Sequence, residues 1–162
     1  MERDPLGPDG WDGELPGPPA ADARWEGVIG LLDAVDARRD APPDPPREPR
    51  FTDDGALIVD WSGASSPVAS SLAYLAQTDL VERGFDWSGF VGSPRGRLLV
   101  ERVRRGEAER SGPAGDMTLE ECRMLLVALA RQERFVDGAV DGAIRSGFVG
   151  VVLRRARELL QG

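Results

Sequence analysis

The sequence predicts a mostly α-helical protein: a compact bundle of about five or six helices with one short extended segment, preceded by a disordered tail. Apolar residues recur at i, i+3, i+4 and i+7 in several separate stretches, the spacing that puts them on one face of a helix. Helix-start signals precede those stretches, notably Ser66-Pro67 and Thr118 followed three residues later by Glu121. Only Ala56-Leu57-Ile58-Val59 reads as a strand, and a single strand has no sheet to join.

Residues 1–21 are rich in Pro, Gly and acids, and Pro5, Pro8, Pro16, Pro18 and Pro19 prevent regular structure, so disorder is expected there. Trp11 is the one tail residue with something to gain from burial, either as a solvated side chain or as part of a short docking peptide. Residues 22–162 form the expected single helical domain. Asp22 caps a first helix whose face is Trp25, Val28, Ile29, Leu32 and Val35 and which closes on Arg38 and Arg39. The prolines of 41–50 then enforce an extended linker. Asp53-Asp54-Gly55 is a turn signal ahead of the 56–59 run, giving an extended segment or a weak hairpin. Ser65 or Ser66, with Pro67 in the first helical position, opens a helix through Val68, Leu72, Leu75 and Leu80 that stops at Gly84. Phe85-Asp86-Trp87 places two rings in the core, with the acid capping the next element. Past Ser93-Pro94, Leu98, Leu99 and Val103 predict a short helix. Arg102, Arg104 and Arg105 lie among Glu101, Glu107 and Glu109, the mark of a solvated face. Residues 106–115 read as a polar loop.

Residues 117–160 organise the rest. Thr118 and Glu121 form a capping box, and Leu119, Cys122, Leu125, Leu126 and Leu129 follow on one stripe. An unbroken period would carry that stripe on to Val136, Val140, Ala143 and Ile144. It would also bury Glu133 and turn Phe135 outward, so a break or bend is expected near 131–135, with a single bent helix holding a Glu133 ion pair as the alternative. Val136-Asp137-Gly138-Ala139 is then repeated as Val140-Asp141-Gly142-Ala143. Two glycines one turn apart cost about 1 kcal/mol each in a helix, which predicts close approach of a neighbouring helix or a ligand. Gly147 fits a left-handed helix terminus. Phe148, Val149, Val152, Leu153, Ala156, Leu159 and Leu160 form a last helix with Arg154, Arg155 and Arg157 in its C-terminal turns.

Composition excludes much chemistry. The formal net charge is −8, most of it in residues 1–50, where 12 acids face 6 arginines. A nucleic-acid footprint is therefore not expected, nor is attraction to an anionic membrane. Every basic residue is Arg, and Lys, His and Asn are absent. Without His there is no imidazole base or His metal ligand; without Lys there is no Schiff-base amine or phosphate-loop lysine. Cys122 is alone and on an apolar stripe, the place of a buried thiol. No apolar run approaches the ~18 residues of a membrane span, and a cytoplasmic location is the expectation. No cofactor is expected.

On a continuous helix Arg131, Arg134, Gly138, Asp141 and Arg145 would share one face, with Asp137 at its edge. Three guanidiniums around a glycine can grip a phosphate or carboxylate. The alternative is a set of surface ion pairs, Arg134 with Asp137 and Asp141 with Arg145, worth about 0.3–0.5 kcal/mol each. Asp137 and Asp141 as a metal or acid/base pair lack partner ligands elsewhere in the chain.

The run Arg131-Gln132-Glu133-Arg134-Phe135-Val136-Asp137-Gly138, followed by Gly147 and an apolar helix, resembles the signature of an uncharacterised bacterial family, domain-of-unknown-function family 6508. Phe85-Asp86-Trp87 and the Trp25 helix resemble other elements of that family, although Phe90 stands where a second Trp is expected. The resemblance covers roughly 23–160 and implies fold and domain extent; it brings no activity. The expected function is a non-enzymatic protein-interaction or regulatory module that binds a protein partner or itself through the 131–145 surface. The alternative is a binder of, or small enzyme acting on, an anionic ligand such as a nucleotide.

Overall fold

The amphipathic stripes resolve into eight helices in the computed structural model, which describes residues 21–44, 50–58, 66–81, 86–104 and 116–162. The helices are α1 (Ala21–Ile29), α2 (Leu32–Asp40), α3 (Pro67–Thr78), α4 (Trp87–Gly92), α5 (Pro94–Arg104), α6 (Leu119–Gln132), α7 (Ala139–Arg145) and α8 (Phe148–Gln161). A minimal antiparallel ladder, β1 (Arg50–Phe51) on β2 (Leu57–Ile58), pairs Arg50 with Ile58 and Phe51 with Leu57. This is the hairpin form of the expected extended segment, turned by Gly55 at φ 84°.

The count exceeds six because one expected helix is divided and a further short helix, α4, is present. The 22–39 helix breaks at Gly30, where Leu31 N bonds back to Val28 O at 3.2 Å in a tight i−3 turn. The break keeps Trp25 and Val28 of α1 and Leu32 and Val35 of α2 all in the core. The helix expected around Leu98 starts earlier, at Pro94, and is preceded by the short α4. Asp86 caps α4 by accepting from Gly89 N at 2.9 Å. Ser66 caps α3 by accepting from Ala69 N, with Pro67 in the first turn.

The central helix is α6, which packs against α3, α4, α5, α7 and α8. Its capping box is complete: Glu121 N donates to Thr118 Oγ1 at 3.1 Å, and Thr118 N donates to the Glu121 carboxylate at 3.0 Å. Arg95 Nε donates to the same carboxylate at 2.8 Å and so fixes the start of α5 to the start of α6. Cys122, Leu125, Leu126, Val127 and Ala130 are buried against Val149, Val152, Leu153 and Ala156 of α8 and Leu72 and Ala76 of α3. Burial of each Leu or Val in this seam contributes roughly 1.5–3 kcal/mol.

The break anticipated near 131–135 is present, since α6 ends at Gln132 and α7 begins only at Ala139. Glu133 does not lie on the apolar stripe but turns back towards α7. Its two carboxylate oxygens accept from Gly138 N at 3.0 Å and Val140 N at 2.7 Å, giving partners to amides at the start of α7. The change of direction moves Val136 off the buried stripe and leaves it 51% exposed. Val140 and Ile144 remain in the core, and Leu129 is half-buried.

The two glycines of the tetrapeptide repeat differ in what they do. Gly138 is there for its backbone, at φ 80° in the left-handed region. Gly142 has open space where a Cβ would project. Close approach occurs at Gly96 instead, where a Cβ would collide with the Phe90 carbonyl as α5 turns back against α4. Gly147, at φ 85°, separates α7 from α8 as its position implied. The expectations for the 1–20 tail with Trp11, for 45–49, Val59, Ser65, Gly84, Phe85, Arg105 and the 106–115 loop, and for the side chains of Asp22, Trp87, Arg102 and Arg104 lie outside the described residues. No helix among the described residues is long and apolar enough to cross a membrane.

Candidate functional site

Two features meet at α7, a charged cluster on one side and an apolar groove on the other. The cluster centres on Asp141, the one buried charged residue among those described, at 7% exposure. Arg38 at the end of α2 donates to it twice, from Nε and Nη2, both at 2.8 Å. Ser66 Oγ donates at 2.5 Å while also capping α3, and Arg145 Nε donates at 3.3 Å from one turn along α7. Arg38 in turn grips Asp44 with both terminal nitrogens, at 3.0 and 2.6 Å. Arg145 donates to the Ala41 carbonyl at 3.3 Å and approaches Asp44 at 3.4 Å. Two guanidiniums therefore meet two carboxylates, and the cluster is neutral.

The Arg38 hydrogen bonds hold the Asp141 carboxyl down at about 2, with Ser66 helping and burial opposing. The same bonds, with those to Asp44, push the Arg38 guanidinium upward. A carboxylate with so low a proton affinity is a poor general base at neutral pH. Ser66 already gives its proton to Asp141 and its lone pair to Ala69 N. Chemically the arrangement is a clamp joining the end of α2, the start of α3 and the middle of α7.

The six residues singled out in the sequence are dispersed by the 133–138 turn. Asp141 and Arg145 form the i, i+4 pair anticipated for them. Arg134 does not pair with Asp137; its Nη2 donates to Gln77 Oε1 on α3 at 2.7 Å. Asp137 is exposed in the turn, Gly138 starts α7, and Arg131 sits half-buried in the last turn of α6. Arg134 and Arg145 thus serve different partners. Sequence reasoning missed Arg38, Asp44 and Ser66 as partners of Asp141. Ser66 was identified as a cap, but Arg38 lies 103 residues from Asp141 and carried no signal beyond its helix-end position.

The groove opens on the opposite side of α7 and encloses about 720 Å³. Helix α6 supplies Leu125, Ala128, Leu129 and Gln132 as one wall, and Ala139, Gly142 and Ala143 of α7 supply another. Val91 of α4, Val100 of α5 and Phe148 of α8 close the remainder, with Val136 at the turn. Gln132 and Ser146 are its polar side chains, and among the described residues no charged side chain lines it. Among the described residues, no three His, Cys, Asp or Glu side chains come together as a metal-ligand set.

A family model described as a family of unknown function (DUF6508) matches residues 20–162. The chain belongs to this family. The DUF6508 match takes in every described helix, the Asp141 clamp and the groove walls. No curated protein and no solved structure matches the chain.

Proposed function

We propose that this DUF6508 protein is a non-enzymatic interaction module whose binding element is the apolar groove between α6 and α7. The observation that carries the reading is the groove itself: about 720 Å³, within the range of ligand pockets, bounded mainly by apolar side chains and, among the described residues, without a charged one in its lining. Apolar surface left open in this way favours an apolar guest, because covering it removes water from both partners. Gly142 strengthens the reading. Ala would fit there and favour the helix, yet the position is bare and faces the cavity. The 131–145 stretch named from the sequence supplies half of the lining through Gln132, Val136, Ala139, Gly142 and Ala143, together with the neighbouring Ser146.

An anion site on Arg131, Arg134 and Arg145 draws less support, because Arg134 is bonded to Gln77 and Arg145 is committed to Asp141 and the Ala41 carbonyl.

Titration with an apolar fluorescent dye tests the proposal. Saturable binding at one site per chain is expected, weakened at least ~10-fold in Gly142→Phe, whose ring would project into the cavity. Absence of saturable binding, or equal binding by Gly142→Phe, would remove the groove as the functional element.

A further inference from the structure

We infer that the occupant of the groove is a second copy of this chain, docked about a twofold axis at the turn between α6 and α7, with Phe135 of each copy entering the groove of the other. This rests on the reading of the groove as a docking site and adds the identity of its guest. Phe135 is 85% exposed, the most exposed large hydrophobic side chain among the described residues. Its neighbour Val136 is 51% exposed and itself lines the groove. The projecting ring therefore stands next in sequence to a residue of the hollow's lining, in the six-residue turn 133–138. In a twofold contact, a residue that meets a second residue on the partner is met by its own counterpart in return. Such an axis lets both hollows be filled at once. Gly142 has nothing within 4 Å of its missing Cβ, which leaves room for the incoming ring.

Charge around the turn has the same self-complementary form. Phe135 and Val136 are bracketed by Arg134 and Asp137, both exposed and of opposite sign. They do not pair within the chain, since Arg134 turns to Gln77. The Gln77 bond takes only Nη2 of Arg134; across a twofold axis the rest of its guanidinium would face the partner's Asp137, and the reverse contact would repeat it. The net charge of −8 opposes association at long range, so the dimer is weak and needs about 0.15 M salt, where repulsion beyond ~8 Å is screened.

Sedimentation equilibrium of the full chain, from about 10 μM to about 1 mM at that salt, reads the result directly. The wild-type mass is expected to rise from monomer towards dimer. Phe135→Ala, which removes the ring, and Gly142→Phe, which fills the hollow, should each raise the dissociation constant at least ~10-fold. Mixed together, these two variants should regain association, because one retains a hollow and the other a ring. Asp137→Arg should weaken the dimer and Arg134→Asp in the same chain should restore it, a rescue that loss of fold would not produce. A wild-type chain that stays monomeric throughout overturns the inference, as does a dimer indifferent to Phe135→Ala or a mixture that fails to associate. The dye titration separates the two levels. If the wild type is monomeric yet binds dye at a site lost in Gly142→Phe, the groove stands as a docking site and its guest is another molecule.

Discussion

Asp141 joins α2, α3 and α7 through a single carboxylate, and its replacement should be felt as a global loss of stability. Asp141→Asn keeps the volume but leaves the half-buried Arg38 with only the exposed Asp44 as anionic partner, a loss on the order of 3 kcal/mol. Asp44 touches the same guanidinium from an exposed position, where solvent screens the pair, so Asp44→Asn should cost far less. Urea denaturation of the two variants checks the contrast. The acid response follows from the direction of the shift. The folded carboxyl titrates at about 2, below its ordinary 3.8, so its contribution is present in full above about pH 4 and is lost as pH falls from 4 towards 2. Wild-type stability should decline across that window, and Asp141→Asn should show a shallower decline. The sequence showed the Asp141–Arg145 pair but not the clamp, because Asp137 and Asp141 occupy equivalent places in a repeated tetrapeptide. What separates them is the fold, which carries Arg38 and Ser66 to one and leaves the other in solvent.

At the scale of the element, the repeat predicts opposite outcomes for the same substitution made one helical turn apart. Gly138→Ala forces an L-residue to φ 80° and should destabilise by about 1–2 kcal/mol. Gly142→Ala adds a methyl group into open space within α7 and should stabilise by roughly 0.5–1 kcal/mol. Glu133→Ala removes the acceptor for two amides at the start of α7, costs about 1–2 kcal/mol, and should speed hydrogen exchange at Val140 before it does so in α6. The elements were legible where their determinants are local. The Thr118 box, the Ser66-Pro67 start, the Asp86 cap and the Gly147 separator all act within four residues and were readable from spacing. The periodicity placed Leu125 and Val140 correctly, and the misfit of Glu133 pointed to the break. It gave no sign that Glu133 would turn back to hold α7, because a hydrophobic period reports which face is buried and not what a polar side chain finds at a helix end.

For the whole molecule, the groove was the least legible feature. Its lining comes from five helices, and its volume depends on how far α4 and α5 stand from α7, a distance that no single stripe encodes. The core was more legible because its centre is one helix, and that helix carries a built-in reporter. Cys122 is the single cysteine, has no exposed surface, and has its thiol pushed up to about 12 by burial. Both lack of access and lack of thiolate suppress its reaction with a thiol reagent until α6 separates from α3 and α8. If the helices around α6 open as one cooperative unit, labelling at pH 8 should run at least ~10³-fold slower than in the denatured chain, in keeping with typical domain stability. Asp141→Asn should then accelerate it in proportion to the lost stability, on the order of 100-fold for about 3 kcal/mol. The clamp makes no contact with Cys122, so a shared response would mean that the charged cluster and the aliphatic seam unfold together. A labelling rate unchanged by Asp141→Asn would instead show that α6 opens locally and that α2 and α7 form a separate unit.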